Sequence, residues 1–185
     1  MGQKILDIGC CFGQDLRRLA LDAGRSDVLF GLEYRSRFVE LGLDLFKDRD
    51  TFQSSIFSGD VFDESFIESI ISSVGRFDVL YVGSLFHLFG VEQQRQLVRI
   101  LFRLLKSDFL IFGRAYSGDS VDLGGAGFLN GVPSDQLQQM FESASPGPVS
   151  CEMALDSYEY KGGGDAFKRF LPQGSKELVF SVRSF

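Results

Sequence analysis

Residues 6–13 read Leu6-Asp7-Ile8-Gly9-Cys10-Cys11-Phe12-Gly13. The stretch from Lys4 to Ile8 predicts a short buried strand, the glycines a turn, and Gln14 the start of a helix. A nucleotide-type cofactor needs that geometry, because only residues without a bulky Cβ let its backbone come close. Spacing discriminates between cofactors. A dinucleotide fingerprint wants glycine at its first, third and sixth positions. Counted from Gly9, those positions hold Gly9, Cys11 and Gln14, so the pattern fails. Glycine, three residues, glycine suits an S-adenosylmethionine pocket better. Asp7 agrees, since a carboxylate just before the turn repels a pyrophosphate but favours an ammonium and a sulfonium.

Outward from this turn, strand and helix signals alternate. Leu16, Leu19, Ala20 and Ala23 recur at helical spacing, with Gly24 as the stop. Val28 to Glu33 predicts a second strand, and Phe38, Leu41, Gly42, Leu45 and Phe46 a second helix. Thr51 to Phe57 predicts a third strand, leading into the loop Ser58-Gly59-Asp60-Val61. Phe66, Ile67, Ile70, Ile71 and Val74 share one face of a short helix. Phe77 to Val82 is a fourth strand, Val91 to Leu105 a longer helix, and Asp108 to Phe112 a fifth strand. Ser134 is expected to cap a helix carrying Leu137, Met140, Phe141 and Ala144. Val149 to Ser157 and Glu177 to Phe185 predict two more strands. The Gly-rich loop between them, Lys161 to Ser175, is too short for a crossover helix, so the pair should be antiparallel. The expected fold is a single α/β domain over residues 1–185, Rossmann-like. Its mostly parallel seven-stranded sheet, closed by a C-terminal antiparallel hairpin, resembles the class I methyltransferase layout.

Composition narrows the partners. With 24% charged and 44% hydrophobic residues in 185, the chain has the makeup of a soluble globular domain. No apolar run reaches the roughly 18 residues that a spanning helix needs. A net charge of -6 disfavours a nucleic-acid backbone as substrate, because phosphate binding needs a basic surface. A small apolar molecule is the expected substrate. Cys10, Cys11 and Cys151 make no metal-ligand spacing with His87, so no metal is expected. Cys10 and Cys11, with Cα atoms about 3.8 Å apart, are too close for an ordinary disulfide, which suits a reduced, cytoplasmic chain. Most of the 20 phenylalanines are assigned to core packing between sheet and helices.

Ligands of doubly wound sheets sit at the carboxyl ends of the strands, where strand order reverses. Asp7 and Gly9 would face the methionine end of the cofactor, and Glu33 could accept both ribose hydroxyls, though on its own it would serve a nicotinamide cofactor equally. Asp60 could accept the adenine amino group beside the Val61 N–H, and Gly83-Ser84 would offer carbonyls to the ammonium. The expected cofactor-binding set is Asp7, Gly9, Cys10, Cys11, Gly13, Glu33, Tyr34, Asp60, Val61, Phe62, Gly83 and Ser84. Asp60 could equally be a turn residue and Ser84 a helix cap. Asp78 starts its strand at the wrong end for chemistry and reads as structural. Phe86, His87, Phe89 and Arg114 are the expected substrate contacts. His87 is the expected catalytic residue, with three roles open to it: general base, hydrogen-bond donor to the acceptor oxygen, or packed polar group.

The segments LDIGCCFGQDLRRL, GLDLFKDRDTF, SGDVFD, SLFHLF and LLKSDFLIFGR resemble the fungal O-methyltransferases of meroterpenoid and related natural-product pathways. The resemblance implies an S-adenosylmethionine-dependent enzyme that methylates a carboxyl or hydroxyl group of a small terpenoid- or polyketide-like metabolite. It implies cofactor contacts for Asp7, Gly9, Glu33, Asp60 and Val61, and a place near the acceptor for His87. Such relatives carry a helical segment before the first strand, and here a strand begins near residue 4. Either the sequence is a shortened piece of a longer chain, or a lid comes from a second copy, as a homodimer, or from a partner chain. The competing expectation is a domain that has kept the fold but acts as a lyase, isomerase, cyclase or non-catalytic partner.

Overall fold

The computed structural model describes residues 2–122, 128–157 and 175–185. Five parallel strands form first: β1 (Ile5–Ile8), β2 (Leu29–Glu33), β3 (Ser55–Ser58), β4 (Phe77–Gly83) and β5 (Leu105–Ser117). Helices α1 (Gln14–Ala23), α2 (Ser36–Phe46), α3 (Glu64–Val74) and α4 (Val91–Leu104) connect them. A two-stranded ribbon, β6 (Val121–Asp122) and β7 (Phe128–Leu129), then precedes α5 (Ser134–Ala144). Strands β8 (Val149–Ser157) and β9 (Lys176–Ser184) pair antiparallel, and β9 docks antiparallel on β5. The seven-stranded order is β3-β2-β1-β4-β5-β9-β8, the mostly parallel sheet with a closing hairpin that the strand and helix signals imply.

Burial explains the strand sequences. Every residue of β2 is buried, as expected of a central parallel strand covered on both faces. On one side Leu6, Ile8, Leu80, Val82 and Ile111 form a core with Ile67 and Ile70 of α3, Leu97 and Leu101 of α4, and Phe141 of α5. Phe86, Phe141 and Phe180 meet there with ring centroids 5.7–6.0 Å apart, which accounts for part of the phenylalanine content. On the other side Cys10, Leu16 and Leu29 form a smaller cluster under α1. Helix α2 lies so close to the glycine turn that a Cβ at Gly42 would overlap the Phe12 carbonyl.

Several boundaries differ from the sequence reading. Strand β3 starts at Ser55 rather than Thr51, because the Thr51 and Phe52 N–H groups are spent in a turn on the Asp48 carbonyl. Strand β5 runs well beyond Asp108 to Phe112, since β9 offers it a second partner as far as Ser117. Ser134 is not a cap: Pro133 takes that position and Ser134 opens the helix. A single 3₁₀ turn (Phe86–Leu88) and the β6–β7 ribbon carry no recognisable sequence signal. The Gly-rich stretch Lys161 to Ser175 lies outside the described residues, apart from Ser175. Asp78 is structural, taking the Lys4 N–H at 2.7 Å and the Lys106 ammonium at 2.7–2.8 Å. Among the described residues no helix is long and apolar enough to cross a membrane.

Candidate functional site

Strand order reverses at β1. The chain fills β2 and β3 on one side and crosses to β4 on the other, opening a crevice at the carboxyl ends of β1 and β4. The turn after β1 is built for that crevice. Gly9 and Gly13 take left-handed φ values of 79° and 72°, which glycine adopts freely. Cys11 also lies in that region, at φ 52°, where a side chain costs about 1–2 kcal/mol. In this conformation the Cys11 N–H donates to Glu33 Oε2 at 2.9 Å. The Arg35 N–H donates to Glu33 Oε1, also at 2.9 Å. Two backbone donors thus hold a carboxylate that is only 7% exposed at the tip of β2.

The turn is clamped from below. Arg17, one helical turn into α1, donates to the Phe12 and Gly13 carbonyls at 2.7 and 3.2 Å. It also makes a two-point ion pair with Asp48, at 2.6 and 2.9 Å. Its guanidinium lies 4.4 Å from the Phe46 ring centre and 4.1 Å from that of Phe52. These bonds hold the Asp48 carboxyl below the usual carboxylate range. Nothing in the local sequence points to this clamp, because Asp48 comes from the loop after α2.

Above the turn lies a cavity of about 720 Å³. It brings together Asp7, Gly9, Cys11, Glu33, Tyr34, Asp60, Val61, Gly83, Ser84 and Arg114 of the expected residues. Asp60 Oδ1 accepts the Phe62 N–H at 2.9 Å, the turn geometry weighed above, while the residue still sits on the cavity wall. Ser84 is not a cap of the 3₁₀ turn, whose cap is Leu85; it adopts φ 58° and donates its N–H to the Arg114 carbonyl. Gln14 and Asp15, the first residues of α1, also line the cavity, as do Arg35, Phe38, Leu85 and Leu88. Placement of Asp15 beside Asp7 was foreseeable from the turn that joins them; the apolar wall was not.

The remaining expected contacts lie elsewhere. Cys10 is 2% exposed and belongs to the small core, its Sγ filling the space over Gly31, and burial drives its thiol well above the ordinary value. Gly13 is buried against Arg17. Phe62 and Phe89 stack edge to face on each other at 5.0 Å and pack on the main core. Phe86 is a fully buried core residue. His87 does not reach the cavity wall either. Its Nδ1 accepts the Tyr116 N–H at 3.1 Å and its carbonyl accepts the Asn130 N–H at 2.8 Å. Burial pushes it down to about 4. A neutral ring with Nδ1 occupied carries its proton on Nε2, and His87 ties the 3₁₀ turn to β5.

Asp7 is the most perturbed group in the cavity. It is 5% exposed, and its Oδ2 has no hydrogen-bond partner among the described residues. Burial, then Asp15 and Glu33, push it up from 3.8 to about 8. An acid that is harder to ionise in the folded chain makes stability fall as pH rises, here between 3.8 and 8. His87 acts oppositely: unfolded it protonates near 6.5 and folded only near 4, so stability falls as pH drops through that range. The two slopes oppose each other below 6.5, and above it Asp7 acts alone. The ligand-free protein should lose ~2 kcal/mol, at ~1.4 kcal/mol per unit, between pH 6.5 and 8. Thermal melts at the two pH values read this as a lower midpoint at the higher pH. Asp7→Asn should abolish the difference, and an equal loss in the variant would assign it to another group.

No family model matches the chain. It is similar to O-methyltransferase phiE of a fungal species, 40% identical over 107 residues, which are 57% of this chain and 35% of that protein. The chain therefore spans about a third of the length of the relatives it matches. Among solved structures it superposes on the [4+2]-cyclase SpnF with a TM-score of 0.70 and 14% identity, covering 99% of this chain and 75% of the other. It also superposes on phosphoethanolamine N-methyltransferase 2 of Haemonchus contortus bound to S-adenosyl-L-methionine, with a TM-score of 0.69, 12% identity and coverage of 100% and 49%. The fold is that of the class I, Rossmann-like methyltransferases, and in sequence the chain resembles fungal natural-product O-methyltransferases.

Proposed function

We propose that this chain binds S-adenosylmethionine in the crevice and delivers its methyl group to an oxygen of a small apolar acceptor. The observation that carries the reading is Glu33: a buried carboxylate on the cavity wall, held by two backbone N–H groups. Each oxygen keeps a lone pair for a second donor, and a ribose diol supplies two. Asp60 and Val61 lie on the same wall for an adenine edge, and Asp7 with Gly83 and Ser84 for an ammonium. The wall carries Asp7, Asp15, Glu33 and Asp60 against Arg35 and Arg114, an acidic balance that suits a cationic ligand. Fungal methyltransferases among the similar proteins support the same reading.

Bound in this way, the donor supplies an electrophilic methyl on a sulfonium. The acceptor oxygen forms the new O–C bond as the C–S bond breaks, and S-adenosylhomocysteine leaves. A carboxylate acceptor is already a nucleophile, so orientation and exclusion of water suffice. That favours a carboxylic acid over a phenol, because His87 is pinned by Tyr116 and no histidine reaches the cavity. Phe38, Leu85 and Leu88 supply the apolar surface for such a molecule.

Calorimetry should show S-adenosylhomocysteine binding with a micromolar dissociation constant; a folded protein that does not bind it refutes the reading. Radiolabelled donor incubated with apolar carboxylic acids then tests transfer. SpnF shows that a cyclase can share this fold. Binding without any labelled product would accordingly favour a lyase, isomerase, cyclase or non-catalytic role.

A further inference from the structure

Asp7 sits beside two other carboxylates, Asp15 and Glu33. Asp15 of α1, Glu33 at the end of β2 and the Cys10 and Cys11 thiols of the turn lie near it, while Arg18 of α1 and Arg35 before α2 line the same hollows. Tyr81 of β4 and Arg114 of β5 complete its surroundings. The three arginines are engaged elsewhere. Arg18 pairs with Asp22 at 2.8 Å, Arg114 lies 3.7 Å from Glu177 and interacts with the Tyr81 phenol, and Arg35 lies over the Phe38 ring. Glu33 is stabilised by two N–H donors, whereas Asp7 Oδ2 is buried and unpartnered among the described residues. A carboxylate in that position has acidic neighbours and no protein donor to its Oδ2 among the described residues.

We propose that Asp7 is a specificity residue that reads the charge of the incoming ligand. In the empty cavity its carboxyl group keeps its proton; when a cationic ammonium arrives, the O–H bond breaks, the proton leaves to solvent, and the carboxylate stays against the ammonium. The inference rests on the donor-binding reading and adds a proton to its stoichiometry. It makes ligands with a cationic end bind better as pH rises toward the titration of the empty site, while nucleosides lacking that end gain nothing.

Titration of the wild-type protein with S-adenosylhomocysteine in phosphate and in Tris near pH 7 measures the proton directly. The expected release is close to one proton per ligand bound, with affinity falling about tenfold per unit as pH is lowered below neutrality. 5′-Methylthioadenosine, which lacks the ammonium, should release none, and Asp7→Asn should release none with either ligand. Should that variant not fold, carbon-13 NMR of the wild-type Asp7 carboxyl carries the same test: it should titrate near 8 in the empty protein. S-adenosylhomocysteine binding with no proton exchange, or an Asp7 carboxyl that titrates in the ordinary acidic range, overturns the inference alone. Absence of any binding overturns the donor reading and the inference together.

Discussion

Glu33→Ala should weaken S-adenosylhomocysteine binding by about 100-fold or more, to the edge of calorimetric detection. Two effects add. The ligand loses a charged acceptor for two hydroxyl donors, each such bond being worth about 1.5–3 kcal/mol. The turn loses the acceptor for the Cys11 and Arg35 N–H groups, which are 2.9 Å from the carboxylate oxygens. Cys11 then has no reason to hold its left-handed conformation at φ 52°, and the turn relaxes away from the ligand. Glu33→Gln keeps the shape but turns one acceptor into a donor facing an N–H, so it should fall between the two. Unchanged affinity in both variants would remove Glu33 from the site.

Arg17→Leu should cost about 3–4 kcal/mol of stability, measured by denaturant unfolding at fixed pH. The Arg17 and Asp48 side chains are only 10% and 22% exposed, so this pair is not a screened surface contact. The substitution leaves Asp48 without its partner and two turn carbonyls without donors, while the apolar replacement still fills the gap between Phe46 and Phe52. Because the clamp holds the turn from below, any binding of S-adenosylhomocysteine should weaken along with stability. Arg17→Lys keeps the charge but cannot make the two-point bond to Asp48 or reach both carbonyls, so most of the loss should remain. A loss below about 1 kcal/mol in Arg17→Leu would place the pair with ordinary surface ion pairs.

The architecture was largely legible because its signals are local. A left-handed turn requires glycine, a parallel strand covered on both faces is apolar throughout, as in β2, and a helix repeats its apolar residues every turn, as in α4. Boundaries were less legible where a distant partner set them. β5 continues through Arg114 and Ser117 because β9 pairs with it, which its own composition does not reveal.

At the site the same division separates neighbours. Cys10 and Cys11 are adjacent and identical in type, yet one fills the core above Gly31 and the other lines the cavity. His87 follows the strand end where an acceptor was expected, and only the approach of Tyr116 makes it a clasp. By itself the sequence determined the α/β alternation, the closing hairpin and a glycine turn with an acid before it and another at the tip of β2. The tertiary structure alone decided which of those groups are desolvated, which are satisfied by backbone N–H groups, and which face the cavity. Steric and periodic rules act within a few residues, whereas desolvation and charge pairing depend on what distant segments bring alongside.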